Sequence, residues 1–166
     1  MEPKAPAMKQ ADDGRLVRLI RKTRWAAMAT VDETEPYVSW VAYVADENFS
    51  GFYLHLSKLA KHTRNLLENG KISVSITEPD SGEGDPQLLA RLILQGRVEL
   101  LERESEAYAT NKARYIDRYP DSAMLFDFAD FSLFRFVPEL GRYVEGFASS
   151  HRITPERLKS VSQLAD

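Results

Sequence analysis

The chain contains no cysteine. That excludes disulfides, thiolate nucleophiles, and zinc or iron–sulfur centres held by thiolates. It also lacks any apolar run near the ~20 residues that a membrane-crossing helix needs. Its first residues, MEPKAPAMKQADDG, hold no apolar leader core, so a cytoplasmic location is the default expectation. Charge of one sign is missing too. Twenty-two Lys and Arg against 25 Asp and Glu leave a net charge of −3, too little to draw the protein to a nucleic acid. Histidine is scarce: His55, His62 and His151 are all there is, and their spacing matches no metal motif. No metal site is expected. There is no internal repeat and no low-complexity block.

What is present is ordinary globular material, 43% hydrophobic and 28% charged in 166 residues, enough for one domain with a real core. A polar, proline-containing stretch, residues 1–11, reads as a flexible N-terminal tail, and 12–166 as a single domain. Leu16, Leu19 and Ile20 share a helical face over 12–22, with Asp12 or Asp13 as cap. Residues 25–31 read as a buried strand. In 37–45 both alternating faces are apolar, which predicts cover on both sides. Residues 72–76 alternate as a half-buried strand, 78–86 form a surface loop, and 89–101 a long strand in which Gly96 marks a bulge or a close approach. A helix is expected over 104–118 with Ala107, Tyr108, Ala113 and Ile116 turned inward. Two paired strands follow at 131–137 and 142–147. Thr154 and Pro155 start the last helix. Many strands, short turns and inserted helices predict a mainly β, closed antiparallel barrel, with an open α+β sheet as the alternative.

The segment 36–76 is the most informative. It reads strand, turn, strand, short helix over 59–67, strand, with Gly70 suited to the left-handed end of that helix. Ser57 ends a strand, and Lys58, Lys61, His62 and Arg64 gather where the helix begins. A hydroxyl, cations and free N–H groups at a helix N-terminus suit a phosphate or another anion. The same cations also fit the solvated face of an amphipathic helix. His55, between Leu54 and Leu56, fits a satisfied half-buried histidine better than a ligand. Tyr37, Trp40 and Tyr43 fit packing better than cofactor cover, and the phenylalanines at 126, 128, 131, 134 and 136 fit core or subunit contact. Arg91 fits either a ligand contact or a charge guarding a sheet edge. Asp130 can cap a turn. Ser149, Ser150 and His151 look like a triad, but no G-x-S-x-G elbow accompanies them.

In order and spacing, PYVSWVAYVAD, LSKLAKHTRNLLENGKISVSI, RLILQGRVELLE, FADFSLFRF and GRYVEGFASSHRITPERL resemble the flavin-binding split-barrel family typified by pyridoxamine 5'-phosphate oxidase. The resemblance is closest to the haem-utilisation branch of that family and covers about 14–158. It implies an antiparallel barrel of about six strands with peripheral helices, assembled as a homodimer with FMN in two interface clefts. It implies that Val38, Ser39, Trp40 and Val41 run along the flavin. Ser57, Lys61 and His62 would then hold its phosphate, and Arg91 would lie near the ring, where a positive group stabilises the reduced flavin. Many members carry lysine where this chain has His62. The C-terminal tryptophan and Arg-x-His pair of the vitamin B6 phosphate oxidases are absent, so that reaction is not expected. Haem-degrading members place a ligating histidine in the C-terminal region, where the last histidine here is His151. An acid near Asp130 is associated with oxygen chemistry in such relatives. The leading expectation is an FMN-dependent oxidoreductase acting on a small-molecule redox substrate. The alternatives are haem binding or degradation on the same fold, with His62 or His151 on the iron, and a non-catalytic flavin- or ligand-binding dimer.

Overall fold

The computed structural model describes residues 11–164. Helix α1 (Asp13–Lys22) is capped by Asp12, whose carboxylate accepts from the Arg15 N–H, and it buries Leu16, Val17, Leu19 and Ile20. The strands that follow are β1 (Trp25–Asp32), β2 (Glu35–Ala42), β3 (Val44–Ala45) and β4 (Phe52–Ser57). Helix α2 (Lys61–Asn69) leads into β5 (Lys71–Thr77) and β6 (Arg91–Leu100), and α3 (Glu106–Arg118) into β7 (Phe131–Gly146), β8 (Ser149–Ile153) and α4 (Pro155–Val161). Gly70 ends α2 in the left-handed conformation, as expected.

Every strand pairing is antiparallel. The hydrogen-bonded path runs β2-β1-β5-β6-β7-β4-β3, with β8 off the path on β7. The two ends of that path are separated in sequence only by Tyr43, so the sheet must curl back on itself into a split barrel. Among the described residues the strands number eight rather than about six, because β3 continues the line of β2 and β8 is an addition to β7.

Period-two alternation fills the barrel. Ala26 and Met28 of β1, Phe52 and Leu54 of β4, Val74 and Ile76 of β5, Leu92 and Leu94 of β6 and Phe136 of β7 are sealed inside. Helices α1 and α4 contribute Leu16, Ile20, Leu158 and Val161 to the same cluster. A second cluster lies outside β4, where Tyr108 and Tyr115 of α3 and Phe126 of the 3₁₀ segment Pro120–Asp127 cover Tyr53 and Leu133.

Four expectations are corrected. The two strands expected at 131–137 and 142–147 do not pair with each other. They are one 16-residue strand, β7, which pairs with β4 through Phe131–Phe136 and with β8 through Gly141–Gly146. Pro138 survives inside it because it sits next to the bulged residue Glu139 and opposite Gly96 of β6, where the register shifts and a missing N–H does least harm. A Cβ at Gly96 would fall 2.0 Å from the Val137 carbonyl oxygen, so only glycine fits that approach. The stretch at 25–31 is half-buried rather than buried, and β2 is covered on one face only: Trp25, Val38 and Trp40 are 52%, 62% and 57% exposed. In α3, Tyr108 and Tyr115 turn inward with Asn111, whereas Ala107 and Ala113 face solvent.

Candidate functional site

The corner between β4 and α2 is where the sequence places an anion seat, and the fold does bring its parts together. Ser57 ends β4, and α2 begins at Lys61. The helix has no side-chain cap and no acidic residue in its first turn, which leaves N–H groups at its positive end without a partner from the cap. Two of the expected ligands, however, are engaged within the protein. The Ser57 hydroxyl donates to Asp130 at 2.6 Å, and the Lys58 N–H donates to the Asp130 carbonyl at 2.7 Å. The Lys61 ammonium lies 2.8 Å from Asp32 and over the Tyr37 ring, and this partner raises its pKa. Neither carboxylate was legible as part of the corner, since Asp130 lies 73 residues from Ser57 and Asp32 reads as a turn residue. His62 is half-buried and makes no hydrogen bond among the described residues; burial lowers its pKa, so the imidazole is neutral at pH 7. Beside it Leu59 is 77% exposed.

The other histidines are engaged or enclosed. His55 is buried rather than half-buried, stacked on Phe126 with centroids 3.7 Å apart, and its Nε2 has no partner. Burial, with Arg103 and Lys112 adding to it, lowers its pKa to about 4. His151 Nε2 faces the Ser149 hydroxyl at 3.1 Å and the Glu145 carboxylate at 3.7 Å. Acid and hydroxyl share one ring nitrogen, so the carboxylate cannot orient the other nitrogen as a relay requires. The triad likeness therefore carries no nucleophilic chemistry. Among the described residues no three acidic or histidine side chains are arranged to hold a metal ion.

Along β2 the expected flavin-contacting residues divide between faces. Val38 and Trp40 point outward, whereas Val41 is buried and the Ser39 hydroxyl is enclosed without a partner. Trp40 stacks on Trp25 at 6.2 Å with rings nearly parallel, and among the described residues the pair stays more than half exposed. Tyr43 is core, donating to the Ile20 carbonyl at 2.8 Å. Arg91 does not join the corner. It opens β6, opposite Thr77, at the Trp25 end of the sheet, whereas Lys61 sits at the Asp32 end. Since β6 lies between β5 and β7, Arg91 is not an edge guard either. A cleft of about 330 Å³ opens on the same outer face between Val31, Pro36, Ser73 and Gln95.

Comparison with known proteins gives this geometry a family. A family model described as pyridoxamine 5'-phosphate oxidase matches residues 13–145. The haem oxygenase HutZ of Vibrio cholerae is 30% identical over 141 residues, which is 84% of this chain and 79% of that protein. The chloroplastic non-canonical haem oxygenase HOZ of Arabidopsis thaliana is 33% identical over 134 residues, 80% of this chain but 39% of that protein. A solved haem-binding protein of Mycobacterium smegmatis superposes with a TM-score of 0.79 at 26% identity, over 92% of this chain and 62% of that one. No helix among the described residues is long and apolar enough to cross a membrane. The curled antiparallel sheet and these matches together place the chain in the pyridoxamine 5'-phosphate oxidase family of split barrels.

Proposed function

We propose that the chain binds haem, as a haem-utilisation member of its family, and that it does so as a homodimer. The observation that carries this reading is the likeness, at 30% and 33% identity over most of the chain, to two proteins named as haem oxygenases. The residues at the α2 corner fit the group. His62 offers a neutral imidazole with no competing partner, the state in which a histidine ligates iron. Exposed Leu59 offers apolar surface to a porphyrin, and Lys58 with the uncapped α2 terminus offers charge to its carboxylates. When bound, haem would supply the iron chemistry. The part of this chain is to present His62, hold the loop through Ser57 and Asp130, and keep Lys61 pinned to Asp32. For the dimer, the supporting observation is the uncovered Trp25, Val38 and Trp40 face, since stacked tryptophans on an open sheet are costly to leave in water. Titration with haemin tests the reading. A saturable Soret band near 400 nm (roughly, for protein-bound haem), altered by His62→Ala, is expected.

One observation keeps FMN as a second reading. An N-terminus with no cap and no acid is suited to a phosphate, and β2 ends the strand path with a backbone edge free to meet a planar ring. Against it, Asp130 occupies the Ser57 hydroxyl and Asp32 the Lys61 ammonium. Protein isolated yellow, absorbing near 450 nm (roughly, for oxidised flavin), would favour FMN and an oxidoreductase role. Residues Val38 to Val41, Ser57, Lys61 and His62 would then be its contacts, while Arg91 is too distant within one protomer to share them.

A further inference from the structure

The outer face of β4 is closed by two pieces of chain that are held very differently. Helix α3 is tied down along its length. Tyr108 and Tyr115 are packed, Arg114 pairs with Glu47, Arg118 donates to the Arg21 and Thr23 carbonyls, and the Tyr119 hydroxyl donates to the Tyr43 carbonyl at 2.7 Å. The 3₁₀ segment Pro120–Asp127 that follows has one anchor. Among its described residues Phe126 alone is buried, whereas Met124 is 62% exposed. Its backbone bonds are local, from the Ser122 N–H to the Tyr119 carbonyl and from the Phe128 N–H to the Leu125 carbonyl. Arg103 adds a single long bond to the Phe126 carbonyl, at 3.3 Å. What lies beneath the anchor is the His55 imidazole, stacked flat on the Phe126 ring at 3.7 Å.

That imidazole is badly placed to carry a charge. It is 7% exposed, and its Nε2 is enclosed without a partner. Phe131 of β7 faces it at 5.0 Å and the edge of Tyr115 of α3 at 5.8 Å. The charges that act on it are Arg103, before α3, and Lys112 of α3, which also lies over the Phe126 ring at 5.3 Å; both are cations. On its own strand, Tyr53 lies under Arg114, and the Ser57 hydroxyl is spent on Asp130. A proton added at Nε2 therefore meets neither an acceptor nor a counter-charge until water is let in.

We infer that the segment Pro120–Asp127 is an acid-released flap: a proton on His55 lifts Phe126 off the imidazole, and the segment swings outward about Tyr119 and Phe128 while α3 and the barrel stay in place. Both hinge residues already have non-helical backbone. With the flap closed, burial first and then Arg103 and Lys112 lower the His55 pKa from 6.5 to about 4. With it open, the ring is hydrated and returns toward 6.5. Between these values the open form binds a proton that the closed form refuses, so each pH unit downward favours opening by up to about tenfold. Above 6.5 the flap is closed whatever the pH. The open flap uncovers an aromatic floor of Tyr108, Tyr115 and Phe131. No bound group takes part, so the flap stands whether or not the chain binds haem.

Amide hydrogen exchange of the full chain, followed by NMR at pH 7 and pH 5 and corrected for the intrinsic rate, tests the flap. Protection of the Ser122 and Phe128 amides should fall by about tenfold or more on going to pH 5. The Tyr119 amide, bonded within α3, and the Leu101 amide, bonded to Leu133 of β7, should keep theirs. His55→Phe, which retains a ring for Phe126 and cannot take the proton, should remove the acid loss. Phe126→Ala should leave the barrel folded with the flap open at pH 7, and its His55 ring should titrate near 6.5, against about 4 in the wild type. This second variant decides the matter even if His55→Phe fails to fold. Protection at Ser122 and Phe128 that ignores pH would overturn the inference, as would an equal acid loss in His55→Phe. A loss shared in step by Tyr119 and Leu101 would also overturn it, by showing that the whole fold opens, and so would a His55 pKa unmoved by Phe126→Ala.

Discussion

The two faces of β1, β5 and β6 differ sharply in what they meet. Inside, Met28, Val74 and Leu94 meet other apolar side chains and no water. Outside, the same strands and their neighbours present Trp25, Trp40, Ser73, Ser75, Arg91 and Arg142, and no helix among the described residues covers them. The outer face of β4 is a third case, closed by α3 and the 3₁₀ segment, with His55 beneath. Burial inside is the work of the barrel itself. Burial outside depends on which element is laid over a strand: α2 packs at the Thr30 end of β1 and β2, and among the described residues the outward side chains Trp25, Val38 and Trp40 have no such cover.

That contrast can be broken most forcefully from within. Leu94→Ala and Phe136→Ala should each cost about 3–5 kcal/mol in denaturant unfolding, the cavity range for sealed core side chains, whereas Trp40→Ala should cost the isolated protomer less than about 1 kcal/mol. If the outward tryptophan proved as costly as the inward leucine, the face would have to be covered in solution. Sedimentation of Trp40→Glu then sharpens the point, since a folded monomer is the expected result if this face joins two protomers.

The covered outer face should show itself through pH. His55 has its pKa lowered from 6.5 to about 4 by burial first, then by Arg103 and Lys112. Between those values the unfolded chain binds a proton that the folded chain refuses. Stability therefore rises with pH across the window from about 4 to 6.5, and the contribution is whole above 6.5 and lost below 4. The span corresponds to roughly 3 kcal/mol at most. Unfolding midpoints measured from pH 4 to 7 should fall toward acid in the wild type and be flatter in His55→Phe.

Smaller effects are expected at backbone positions. Gly96→Ala, with its Cβ driven toward the Val137 oxygen, should cost roughly 2 kcal/mol and disturb the β6–β7 bulge. Ala60→Ser, which gives α2 the cap it lacks, should stabilise the ligand-free protein by about 0.5–1 kcal/mol in thermal unfolding.

The sequence was most legible where local chemistry decides. Asp12 and Thr154 cap their helices, Gly70 turns left-handed, and Gly96 sits at a bulge because caps, positive φ angles and close backbone approaches are written in single residues. The barrel was legible too, through alternation and through family resemblance. Cover was not: nothing in the alternation of β2 distinguishes Val41, which faces the core, from Trp40, which faces water. Nor could the sequence separate one bulged strand from two, since Pro138 and Gly141 both resemble breaks until Gly96 is placed opposite Pro138. At the corner Ser57 and the cations from Lys58 to Arg64 were visible, but Asp130, which holds the Ser57 hydroxyl, and Asp32, which pairs with Lys61, arrive from distant parts of the chain. The stack of Phe126 on His55 was hidden for the same reason, since only the fold lays that segment over β4.

The most direct measurement is an equilibrium titration of the purified chain with haemin, followed in the visible spectrum, for wild type and His62→Ala side by side. The account predicts saturation at one haem per protomer with an imidazole-ligated spectrum that His62→Ala abolishes while leaving the fold intact. A wild-type spectrum indistinguishable from free haemin, or one unchanged by the loss of His62, would contradict it.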